Sequence, residues 1–178
     1  MAHLTASVEY GIHCLLCLVG SGDAALSSRD LAELQGVSPS FLAKILSKLE
    51  KAAIVTASEG VRGGYRLGRS AEDISFLQIV DAIEGKKPLF DCQEVRGRYA
   101  VFSDGPPAWV TDGVCAVHAA MLQAEKAMRD SLASQSLADV ASRFARKAPD
   151  QFFDDVHAWT NNRLNGRVRG KPPRDAPE

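Results

Sequence analysis

A chain of 178 residues, 46 % hydrophobic and 24 % charged, can bury a core without disulfide staples and has the make-up of a water-soluble fold. Its formal net charge of -1 neither favours nor excludes a polyanionic partner, so the distribution of charge has to decide. No stretch reaches the ~18 apolar residues of a membrane span. The first apolar run lacks the basic flank and cleavage pattern of a signal peptide, so a cytoplasmic chain with no membrane partner is expected.

The first helix is predicted over residues 7–20, where Val8, Ile12, Leu15, Leu16 and Val19 form one apolar stripe before Gly20-Ser21-Gly22-Asp23. A second helix opens at Ser27 or Ser28, buries Leu31 and Leu34 and stops at Gly36. Ser38 then caps a third helix with Pro39 at its first position, where a missing N–H costs nothing. Leu42, Ile45, Leu46 and Leu49 form its inner face; Ser40, Lys44, Ser47, Lys48 and Lys51 form the outer one. Two short β-branched or apolar stretches, at 54–56 and 65–67, flank the glycine-rich turn Glu59-Gly60-Val61-Arg62-Gly63-Gly64, which predicts a hairpin with a basic tip. Ser75 opens a fourth helix that buries Ile79, Val80 and Ile83 and ends at Gly85.

Helix, helix–turn–helix, hairpin and helix in that order predict a winged helix–turn–helix over residues 1–85, whose second motif helix would enter a DNA major groove. Residues 86–114 are broken by Lys86-Lys87-Pro88, Gly97, Gly105-Pro106-Pro107 and Gly113, and are expected to form a long functional loop. From Cys115 a longer helix resumes. Its stripe Val117, Met121, Ala124, Met128 and Leu132 has no visible cover elsewhere in the chain and is expected to be a dimerisation face, followed to residue 147 by a short helix capped by Ser136. Residues 148–178 hold an amphipathic segment at 151–164 and the polar tail RVRGKPPRDAPE, which cannot fold alone. The fold class is therefore mainly α with a small β-hairpin wing: a winged helix–turn–helix plus a long dimerisation helix.

DNA contact requires cationic and hydrogen-bonding groups that face outward. The candidates are Ser38, Ser40, Lys44, Ser47 and Lys48 on or at the third helix, with Arg62 and Arg66 on the wing. A solvated helix face would look similar, but the order of elements favours DNA. Of the four cysteines, Cys14 and Cys17 form a CxxC inside an apolar helix, where packing suits them better than redox chemistry. Cys92 and Cys115 flank the loop.

The stretches LAELQGVSPSFLAKILSKLEKAAIV, GVRGGYRLGRS and ISFLQIVDAIEG, then Cys92 and GVCAVHAAMLQAEKAM, resemble the IscR/NsrR family of winged-helix transcriptional regulators over residues 1 to about 145. The resemblance implies a homodimer on an inverted-repeat operator of double-stranded DNA. Many members bind a cluster through three loop cysteines and a fourth ligand, whereas this loop has Cys92 and Cys115 only, with His118 beyond. A 2Fe–2S cluster needs four terminal ligands, and imidazoles can replace thiolates. In the RsrR-like branch the opening helix of one subunit looks able to supply ligands to the partner's cluster. Glu9 and His13, spaced i, i+4 on that helix, fit the same role. The expected cluster ligands are therefore Cys92 and Cys115 from one chain and Glu9 and His13 from the other, with His118 as the alternative. Glu9 and His13 could instead be an ordinary surface pair, and Cys92 and Cys115 a reversible disulfide.

Three readings follow. The first is a homodimeric, sequence-specific regulator sensing redox state or nitric oxide through a 2Fe–2S cluster. The second is the same scaffold without a cluster, controlled by thiol oxidation or a partner protein. The third is a thiol or metal enzyme, for which the chain offers no phosphate loop or nucleophile elbow.

Overall fold

The computed structural model describes residues 4–22, 24–60 and 63–169. Its elements run α1 (Ala6–Gly20), α2 (Ser28–Gln35), α3 (Pro39–Lys51), β1 (Val55–Ser58), β2 (Gly64–Leu67), α4 (Phe76–Glu84), α5 (Ala108–Thr111), α6 (Ala116–Ala133), α7 (Leu137–Ala145) and α8 (Asp150–Arg169). Each early helix starts where its cap dictates. The side chains of Thr5, Ser27 and Ser38 accept hydrogen bonds from the first-turn amides of Ser7, Asp30 and Phe41. Ser75 and Gln78 form a full capping box at α4. Gly36 closes α2 at φ 65°, a conformation that favours glycine.

The apolar faces of α1–α4 meet in one core in which Leu15, Leu31, Leu42, Leu46, Leu49 and Ile79 are inaccessible to solvent. Gly11 lets α1 approach α4, because a Cβ there would stand 2.4 Å from Ile83 Cδ1. The hairpin pairs antiparallel from Val55↔Leu67 to Ser58↔Gly64. Its root is stitched to the segment before α2, where Tyr65 N donates to Leu26 O at 2.8 Å and Leu26 N to Tyr65 O at 3.1 Å. Leu137 at the start of α7 is also fully buried, and its amide donates to Ile74 O at 2.8 Å, so the late helices share the first domain's core.

Three expectations change. The 86–114 segment is not a plain loop: it carries a 3₁₀ turn at Val95–Arg98 and the short helix α5. The α6 stripe divides. Met128 and Leu132 lean on the chain's own body while Val117 and Met121 stay exposed, because α4 covers the second half of the helix. Finally, α8 runs from Asp150 to Arg169, well beyond the expected 151–164 and into the stretch read as tail. The remainder of that tail lies outside the described residues.

Candidate nucleic-acid interface and sensor loop

The outward face of α3 is built as its pattern demands. Burial of Leu42, Ile45, Leu46 and Leu49 turns Ser40, Lys44 and Ser47 to solvent, with Ser38 at the N-cap beside them. Arg66 is exposed on β2 opposite Thr56, so a second cation projects from the wing. Arg62 lies outside the described residues. Lys48 has another engagement: its Nζ donates to Ile83 O at 2.6 Å and thereby caps the C-terminus of α4. The sequence could not reveal this, since Lys48 and Ile83 meet only through tertiary packing.

In the loop, the centre is a residue that sequence reasoning passed over. Arg96 holds Glu94 through a two-pronged ion pair, Nε to Oε1 at 2.5 Å and Nη2 to Oε2 at 2.9 Å, and Nη2 also donates to Gly113 O at 3.1 Å. Glu94 sits at φ 45°, a left-handed conformation uncommon outside glycine, which aims its carboxylate at the arginine. The Arg96 pKa is raised first by the hydrogen bond to Glu94, with burial acting against it, and then by the charges of Glu94, Cys115 and Cys92. Glu94 is correspondingly lowered, chiefly by the Arg96 hydrogen bond. His118 adds to that lowering, and its ring lies 6.2 Å from that of Phe90. Arg96 thus ties Glu94 to Gly113, two residues before Cys115, which forms the N-cap of α6.

Glu9 and His13 are both exposed on α1, one turn apart, and neither makes a hydrogen bond or ion pair among the described residues. In one chain they do not complete the loop set. Among the described residues, no three of His, Cys, Asp and Glu converge closely enough to hold a metal ion. The CxxC of α1 is inert packing: burial pushes the Cys14 thiol up to about 12 and the Cys17 thiol up to about 11. No helix among the described residues is long and apolar enough to cross a membrane.

Residues 4–143 match the family described as Rrf2, iron-dependent transcriptional regulator. Protein rrf2 of Nitratidesulfovibrio vulgaris is 32 % identical over 138 residues, 77 % of this chain and 85 % of that protein. The HTH-type transcriptional regulator IscR of Photobacterium profundum is 35 % identical over 90 residues, covering 50 % of this chain and 52 % of its own. Among solved structures, CymR of B. subtilis, described as its global cysteine regulator, superposes with a TM-score of 0.63 at 22 % identity, covering 80 % of this chain and 98 % of that one. IscR of T. potens gives 0.60 at 23 % identity, covering 83 % and 93 %. At these identities the two structures establish the shared winged-helix fold. The chain belongs to the Rrf2 family and is a DNA-binding transcriptional regulator, not an enzyme.

Proposed function

We propose that the protein is a cytoplasmic, homodimeric, sequence-specific regulator that senses redox state or nitric oxide through a 2Fe–2S cluster between its subunits. Cys92 and Cys115 of one chain, with the partner's Glu9 and the partner's His13, would hold it; His118 is the alternative nitrogen ligand. The observation that carries this reading is the exposed Glu9/His13 pair on α1, taken together with a loop region that supplies two cysteines. The donor chemistry fits: two thiolates, an imidazole and a carboxylate make up the four terminal ligands that such a cluster needs. Glu9 and His13 stand exposed and unengaged on one face of α1, as a ligand pair offered to another chain requires. When bound, the cluster would supply one-electron chemistry. The chain's own residues do the rest. Arg96, through its hydrogen bonds to Glu94 and Gly113, ties the loop that carries Cys92 to the segment just before Cys115. On the DNA side, Ser38, Ser40, Lys44, Ser47 and Arg66 read bases and phosphates, with Arg62 completing the wing; Lys48 acts by fixing α3 against α4.

Anaerobic purification should yield a coloured protein with about two irons per chain, the content of one cluster. The series Glu9→Ala, His13→Ala, Cys92→Ala, Cys115→Ala and His118→Ala, read by visible absorption, assigns the ligands. Bleaching by His118→Ala but not by His13→Ala would move the nitrogen ligand to α6. The two loop-region cysteines, both free and only partly covered, also support a second reading, a cluster-free regulator switched by a reversible Cys92–Cys115 disulfide. An iron-free protein after anaerobic reconstitution, with that disulfide seen by mass spectrometry on mild oxidation, would establish it instead.

A further inference from the structure

Helix α8 lies beyond the stretch matched to the family, which ends at residue 143, and touches α7 where Phe152 and Phe153 meet Phe144. Between α1, α7 and α8 lies a cavity of about 360 Å³. Its walls include Leu16 of α1, Phe144 of α7, and Phe152, Phe153 and Val156 of α8. The three phenylalanines meet edge to face at centroid distances of 5.5 to 6.0 Å, so the aromatic wall is braced by its own contacts. Its polar lining residues are His13, His157, Ser21, Ser142 and Thr160, and no Lys, Arg, Asp or Glu lines it.

A dry apolar cavity of about 150 Å³ already admits benzene. One more than twice as large has room for a two-ring molecule, and the absence of charge in the lining excludes an ionic one. We propose that this cavity binds a neutral, mainly apolar small molecule of about two rings, with its single hydrogen-bonding group directed at the His157 imidazole. Aromatic walls with a few converging polar groups are the usual make-up of small-molecule sites. The proposal does not depend on the cluster, and it assigns α8 the task of walling an effector site that residues 4–143 alone would leave open.

The test uses the full chain and the neutral fluorescent probe N-phenyl-1-naphthylamine. Titration should show saturable, blue-shifted emission with one probe per chain. Ala145→Trp, placed at an exposed position on the rim, should weaken binding at least tenfold while the variant still retards DNA from its own promoter region. Should Ala145→Trp lose helical circular dichroism, Ser142→Leu on the same wall carries the same expectation. Non-saturable binding, or unchanged affinity in the folded rim variants, would overturn the proposal. So would probe binding that disappears as the chain dimerises, since a second copy would then occupy the space.

Discussion

At the scale of single residues, the two strongest determinants are charged groups held by short polar contacts. Arg96 links Glu94 and Gly113, so Arg96→Ala should release the 86–114 segment without unfolding the helical core. Limited proteolysis should then cut that segment several-fold faster while core circular dichroism is unchanged. Glu84, in the last turn of α4, is a second case. The Thr5 hydroxyl and the Thr5 amide, the latter at 3.0 Å, both donate to its Oε1, and its carboxyl is held below the ordinary 4.5, first by the Thr5 side chain. The unfolded chain therefore takes up this proton more readily than the folded one. Stability from the contact is fully present above about pH 4.5 and is lost as pH falls through the lower, folded value. Thermal unfolding of Glu84→Gln should lose that part of the acid dependence; an unaltered profile below pH 4.5 would show that Glu84 contributes nothing.

At the scale of elements, most of the first 85 residues were legible because the signals were local. Caps at Ser27, Ser38 and Ser75, glycines at 36 and 85 and clean apolar spacing fixed helices to within a residue or two. The wing was legible from Gly63-Gly64, though not the reason for the second glycine. A Cβ at Gly64 would meet the Leu26 backbone at 2.6 Å, where hairpin and helix–turn–helix are sewn together. Gly64→Ala should therefore destabilise the chain by roughly 1–3 kcal/mol, an overpacking cost against immovable backbone. It should also weaken DNA binding, read together by chemical denaturation and gel retardation. Other features were illegible for physical reasons. The Glu94–Arg96 pair depends on a left-handed backbone that composition does not announce. The split of the α6 stripe depends on where α4 happens to lie. The length of α8 was hidden by its polar later half, which gains order from contacts such as the Arg163–Glu33 ion pair and Arg163 stacked 5.0 Å over Trp159.

For the whole molecule, the proposed homodimer would place its second copy on the apolar surface that one chain leaves uncovered. Val117, Met121 and Leu122 on α6, with Trp109 and Val114 before it, are all exposed, and Trp109 is 74 % so. Met121→Asp should yield a monomer in analytical ultracentrifugation and abolish cooperative operator binding. In the dimer the two α3 helices should meet half-sites about 34–36 Å apart, which an inverted-repeat footprint checks. Lys44→Ala should lower the slope of log affinity against log salt by about 0.9, the signature of one lost phosphate contact; an unchanged slope would remove Lys44 from the interface.

The last turn of α4 joins three partners within four residues. Asp81 binds Arg129 of α6 through two hydrogen bonds of 3.0 and 2.8 Å, Ile83 O accepts from Lys48 of α3, and Glu84 holds the start of α1. The helix bearing the exposed apolar patch, the DNA-reading helix and the helix bearing Glu9 and His13 thus converge on a single pivot. Its substitutions should be epistatic. Arg129→Met and Lys48→Met, each mild alone, should be non-additive in operator affinity, because either one frees the pivot that the other depends on. Amide hydrogen exchange at residues 81–85 should accordingly register whatever event begins at the loop, before any change in the recognition helix is visible.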